Sequence, residues 1–362
     1  MTSGSDTSLM SADDDPSPLS SATEQALRTV VPLVMPEESL AAFMRWWQLE
    51  TWLRELVYVE LRSLYGSAWE ASVTASAGRQ MQDAVYQHMS SADSANPLAY
   101  LDYSQLLKVI EQHDAQLRYA LLDSGSWAGR QEELKRIRHR IGHMRKPHPD
   151  DLGRLEQTLR DLERGAYIAC ASYNDRSVPR LDDHSDPVTL GWIGRQHPTA
   201  VRLIDHAEAN YETSFHLSTS RRPWATYPDD LNGAQGVFWH ASFILRGHGV
   251  NLKALWREVR GLAPMLVHLV ANDPNSVDFT FSAVDDGTAV ADAIGIVFDA
   301  VLHSSRHGHQ VGWVDEYEAW QRRARQIDFR IISGNLWGLV DEGTIPISIF
   351  GAGGGVEFPP EW

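Results

Sequence analysis

A chain of 362 residues with 43% hydrophobic and 22% charged residues has enough apolar side chains for real cores and exceeds what one core usually organises, so two domains are expected. A formal net charge of −16 excludes indiscriminate nucleic-acid binding, because phosphate attraction needs positive potential; any such site must be a local patch. No run of 18 apolar residues and no basic-then-apolar leader is present, and a lone Cys170 has no intramolecular disulfide partner, so a cytoplasmic protein without membrane contact is the expectation.

Residues 1–24 are rich in Ser, Asp, Thr and Pro, including Asp13–Asp14–Asp15, and too poor in apolar groups to offset the entropy of ordering; they read as a disordered acidic tail. A long helix is predicted from Pro36, with Glu37 and Glu38 in its first turn and Gly66 as its stop. Phe43, Trp46, Trp47, Leu49, Leu53, Leu56, Val57, Val59, Leu61 and Leu64 form a stripe wide enough to be covered on more than one side. A weaker helix follows at 68–89, then a loop from Asp93 to Pro97. Ser104 is the expected cap of a third helix, closed by Ser124–Gly125–Ser126; a fourth runs from Trp127 into an Arg/His-rich segment, and Pro149–Asp150–Asp151 opens a fifth. Short connections make residues 37–175 an α-helical bundle.

From Arg176 to about Gly236, Pro, Asp, Gly and Ser break the pattern, which puts a domain boundary near 175–185 and a mixed α+β domain at 180–362. There a helix near 251–271 strained by Pro264, a strand over Val277–Val284 ending in an Asp285–Asp286–Gly287 turn, a helix near 289–303, another at 315–327, and strands at Phe329–Ile332 and Ile345–Phe350 are predicted. His303, His307 and His309 are dense enough to suggest zinc, and Asp182, Asp183, His184 and Asp186 a cation, but no Cys or carboxylate lies close enough in sequence to complete a zinc site, and a polar loop closing a helix and a Pro-bounded acidic turn are the better readings. No metal is called for.

The chemistry-bearing stretch is Arg136–Ile137–Arg138–His139–Arg140–Ile141–Gly142–His143–Met144–Arg145–Lys146. Between Arg130 and Lys146 seven Lys/Arg face two acids, a positive island in an acidic chain. RNA carries its own nucleophile, the 2′-hydroxyl, so cleavage needs a group that titrates near neutrality and a cation for the phosphorane; His143 and Arg138 suit these roles without any cofactor. Arg136, Arg140, Arg145 and Lys146 have no part in that reaction and are assigned to flanking phosphates. Glu50, Arg54, Glu55 and Glu60 interrupt the first helix either as solvent-facing pairs or as a support for Arg138.

Arg138–His139–x–x–x–His143 resembles the Arg–polar–x–x–x–His signature of the HEPN superfamily. The aromatic first helix from Trp46–Trp47 to Leu64–Tyr65–Gly66, and Tyr100–Leu101–Asp102–Tyr103–Ser104–Gln105–Leu106–Leu107 before the motif, are similar to the helical order of bacterial HEPN defence and toxin nucleases. The resemblance covers residues 37–175 and implies a metal-independent endoribonuclease that leaves a 2′,3′-cyclic phosphate and a 5′-hydroxyl, with His139 supporting the site. It also implies a homodimer through the helical domain, because Arg138 and His143 lie roughly 140° apart around an ideal helix and two motifs lining one cleft, or a distortion at Gly142, would reconcile them. Residues 180–362 would then act as a sensor or restraint answering to an antitoxin or a phage-derived trigger. The alternatives are a catalytically silent HEPN module that binds RNA or nucleotide or mediates assembly, and an activity housed in the carboxy-terminal half.

Overall fold

A computed structural model describes residues 36–85, 95–182, 186–273, 275–307 and 327–332, together with Gln25. The tail at 1–24, the helix predicted at 315–327 up to its last residue, and the strand at 345–350 lie outside the described residues. Helices and a sheet are both present: a helical amino-terminal region precedes the sheet-containing part.

Helix α1 spans Glu37–Tyr65, with two acids in its first turn and Gly66 (φ +55°) ending it, as the residues predict. A 3₁₀ segment, Gly66–Ser76, and α2, Ala77–Val85, occupy the predicted weak helix. Helix α3, Tyr103–Gln112, is capped by Asp102 and not by Ser104. Asp102 accepts from the Gln105 amide (2.9 Å) while the Gln105 side chain takes the Asp102 amide (3.1 Å), a reciprocal capping box. After the short α4 (Asp114–Leu117), Ser124 opens α5, Ser124–Gly142, instead of closing its predecessor; α6 covers Asp151–Asn174.

The chain divides into two compact units, residues 1–47 with 128–158 and residues 48–127 with 159–362. This cut differs from a boundary at 175–185: most of α1, α3 and the later part of α6 belong with the sheet. In the first unit, Ala42, Trp46, Leu134, Ile137 and Leu155 are buried. Phe43 and Trp47 from the predicted stripe are 42% and 64% exposed, so the apolar stripe of α1 narrows in this unit.

The second unit is built on a six-stranded sheet ordered β1 (Arg176–Ser177), β2 (Thr213–Arg221), β3 (Val237–Leu245), β6 (Ser276–Ser282), β5 (Leu266–Asp273) and β8 (Ile331–Ile332), antiparallel except for β5–β8. Between them lie α7 (Ala200–Tyr211), the small β4 (His248–Val250), α8 (Leu252–Val259) and α9 (Gly287–Ser304), and β7 (Ser305–His307) pairs with β4. Among its described residues, the punctuated stretch at 176–236 therefore holds a π-helical turn (Thr189–Ile193), a helix and two strands. The helix predicted over 251–271 stops at Val259, and the residues after Pro264 become β5, because proline cannot donate the next helical hydrogen bond. Asp286, placed in a turn by the sequence, caps α9 by accepting from the Ala289 amide (2.9 Å).

Alternation divides the sheet into two unlike faces. Val237, Trp239, Ala241 and Phe243 of β3 share one face with Val277, Phe279 and Phe281 of β6, where Phe298 of α9 stacks edge-on to Phe243 at 5.0 Å. Helix α9 is the one described helix long and apolar enough to cross a membrane, and this core accounts for its apolarity. The other face carries His240, Ser242, Thr280, Asp278 and His268 and is met by α1 and α6 through side-chain hydrogen bonds. Tyr173 Oη contacts both Thr280 Oγ1 (2.6 Å) and His268 Nδ1 (3.0 Å), His268 Nε2 lies 2.9 Å from Glu55, and His240 spans Ser220 (2.7 Å) and Thr280 (3.1 Å). Burial, with Arg176 and His268 adding to it, holds the His240 imidazole well below its ordinary pKa, so this ring is neutral.

The second unit also holds a fully buried ion pair. Arg222 donates to Glu60 Oε1 from Nε (2.8 Å) and Nη2 (2.6 Å), and Glu60 also accepts from Tyr119 (2.7 Å) and Trp224 (2.5 Å). Two charges can be buried together here because nearly every donor and lone pair is matched. Where α6 passes the turn after α4, a Cβ on Gly165 would sit 2.1 Å from the Ala120 carbonyl oxygen, so only glycine allows that approach.

Candidate nucleic-acid interface at the end of helix α5

Arg138 and His143 lie at the carboxy-terminal end of α5, wholly within the first unit. The helix is regular to its last turn: the His143 amide still donates to His139 O (3.2 Å), and no distortion occurs at Gly142. It then closes with the Arg145 amide on Arg140 O (2.9 Å) and the Met144 amide on Ile141 O (3.1 Å), the paired bonds of a Schellman turn. That turn requires a left-handed residue, and the position is filled by Met144 (φ +54°), 84% exposed, where glycine would be strain-free. The cost is about 1–2 kcal/mol, located next to His143.

Helical spacing sorts the motif into two rows. His139 and His143 share one, with ring centroids 4.4 Å apart at 64°. Arg138 lies over Gly142 in the neighbouring row: its guanidinium is 3.8–3.9 Å from where a Cβ on that glycine would be. Both rows are exposed. The proton affinity of His139 falls below that of an ordinary imidazole through partial desolvation first, then through His143, Arg145 and Arg138.

The seven cations of the sequence do not stand alike. Arg140 is clasped by Asp151, at the first turn of α6, through Nε (2.7 Å) and a second, shorter bond from Nη2. Asp151 is only 2% exposed and also accepts from the His148 amide (2.9 Å). Burial pushes the Asp151 carboxyl up, but the Arg140 and His148 hydrogen bonds outweigh it and leave the acid below its usual range. Lys135 pairs with Glu132 (3.0 Å), and Glu133 takes both Arg154 and Arg130 (3.6 Å). Among the described residues, Arg136, Arg138, Arg145 and Lys146 form no ion pair, though the charge of Arg136 reaches the Glu132 carboxylate. Arg140, assigned from sequence to phosphate contact, is thus committed to joining the ends of α5 and α6. The signal for this was Asp151 itself, an acid at a helix start eleven residues beyond an arginine at a helix end.

The first-helix charges are engaged inside the second unit: Arg54 with Glu50 (2.6 Å) and the carbonyls of Leu98 and Leu101, Glu55 with His268, and Glu60 with Arg222. Asp186, from the acidic turn, accepts from the amides of Val188 and Thr189. His303 lies 3.4 Å from Asp299, and His309 lies outside the described residues; among those described, no three His, Cys, Asp or Glu side chains gather to hold a metal ion. Cys170 is buried, which drives its thiol pKa up. No family model, curated protein or solved structure matches this chain.

Proposed function

We propose that the protein is a metal-independent endoribonuclease of HEPN type, acting in the cytoplasm as a toxin or antiphage effector. The observation that carries this reading is the end of α5, where Arg138, His139 and His143 are exposed beside Arg136, Arg145 and Lys146, cations that form no ion pair among the described residues in a chain of net charge −16. In the proposed reaction the 2′-oxygen attacks phosphorus as the bond to the 5′-oxygen breaks. His143 relays the proton between these oxygens, and Arg138 meets the charge that grows on the phosphorane. His139 supports His143 through their ring contact.

The regular helix leaves Arg138 and His143 roughly 140° apart around its axis. A phosphate touching both is then best held between two copies of the motif, which supports a homodimer through the helical region. A local rearrangement of the glycine at 142 is the less economical route, since the helix is undistorted there.

The test is incubation of purified protein with total RNA in the presence of a chelator, followed by typing of the new ends. Cleavage giving 2′,3′-cyclic phosphate and 5′-hydroxyl ends is expected from the wild type and not from His143→Ala. Intact RNA at high protein concentration would refute the assignment.

A further inference from the structure

His139 and His143 have a property the cleavage reaction does not use. They stand one helical turn apart on one face, both exposed, with the backbone bond between them intact at 3.2 Å and their ring centroids 4.4 Å apart. Two cis positions on an ion with metal–nitrogen bonds of about 2.0–2.1 Å require ring nitrogens roughly 3 Å apart, a separation that imidazoles at this spacing reach by turning about their side-chain torsions. Neither ring forms a hydrogen bond or ion pair to another described side chain, so none of those is broken when the rings turn toward a metal.

We propose that His139 and His143 form a two-imidazole chelate for a divalent transition ion of the copper, nickel and zinc group, completed by an exogenous anion. Imidazole selects these ions over magnesium and calcium, and copper(II) binds most strongly in the series. The anion follows from the surroundings. No carboxylate or thiol of the described residues joins the pair, and Arg136, Arg138, Arg145 and Lys146 oppose a bare dication but favour one whose open positions hold phosphate or chloride. A metal on both rings also removes His143 from proton transfer, so on the reading of the site as a nuclease the ion is an inhibitor.

The experiment titrates copper(II) into the full chain in a non-coordinating buffer, with and without inorganic phosphate, following calorimetry and the nitrogen splitting of the electron paramagnetic resonance spectrum. The wild type is expected to show a site with two coupled nitrogens that tightens with phosphate. His139→Ala and His143→Ala should each weaken that site at least tenfold and leave one coupled nitrogen, while His148→Ala, an exposed imidazole nearby, leaves it unchanged. Both residues are exposed, His139 on α5 and His143 just past its end, and an unchanged circular dichroism spectrum confirms that the helix persists. Retention of the two-nitrogen signal and affinity in both variants would overturn the proposal. No RNA is present, so this outcome and the failure of the nuclease reading are read separately.

Discussion

Replacing Arg145 and Lys146 with glutamine tests which charges meet RNA. The sequence offers seven cations between Arg130 and Lys146, but Arg130, Lys135 and Arg140 are held by Glu133, Glu132 and Asp151, leaving four. Each phosphate contact to a single strand contributes about 0.7 to the log–log salt slope, so four contacts predict a slope near 2.8 and seven a slope near 4.9. Between roughly 50 and 200 mM salt the first loses about 50-fold in affinity and the second about 900-fold, a gap easily resolved. The double substitution should lower the slope by about 1.4, leaving roughly a 7-fold loss over the same range. Fluorescence anisotropy with a labelled single-stranded RNA, in a His143→Ala background to prevent cleavage and at a pH about one unit above the imidazole range, gives both slopes. A wild-type slope near 4.9 would show that the ion pairs open on binding. An unchanged slope in the double variant would show that this charge is only a solvated helix end.

Three further outcomes follow from the same geometry. His143→Ala should abolish cleavage while changing unfolding stability by less than about 0.5 kcal/mol, because the ring is exposed; full cleavage by the folded variant, measured on total RNA, contradicts the assignment. Glu60→Gln leaves a fully buried guanidinium without its counter-charge, which costs about 3–5 kcal/mol and should lower the melting temperature of the second unit by roughly 6–20 °C in calorimetry; a shift under about 2 °C would mean the pair is open to water. Stability should also decline as pH falls: His240 is held below its unfolded pKa, so the unfolded chain binds the extra proton and stability drops by up to about 1.4 kcal/mol per unit below pH ~6.5, with Asp151 adding to the loss below pH ~4; denaturant midpoints that stay flat from pH 6.5 to 5 would show that His240 is protonated in the native state.

The amino-acid sequence by itself determined the local elements. Proline, the early acids and Gly66 set the limits of α1; the 3.6-residue period revealed α5 and α6; alternation revealed β6; and the apolar run before Ser304 revealed α9. The candidate site was visible as well, since an arginine, two histidines and a dense run of cations on one helix need no tertiary information to be noticed. Where the local signal misled, a non-local partner had decided. Strand β2 was hidden because its polar residues, such as Ser214, Ser218 and Ser220, look like loop composition until a cross-strand partner such as His240 supplies a hydrogen bond. The grouping of α1 and α6 with the sheet depends on Glu60–Arg222, 162 residues apart, and on Tyr58 donating to Val267 O across 209, distances over which periodicity carries no information. Only the tertiary structure removed Arg140 from the list of free cations, because Asp151 is eleven residues away across the turn that joins two helices. Short-range patterns report which backbone a segment prefers; which charges remain available to a ligand depends on which are already neutralised by neighbours that the fold alone brings near.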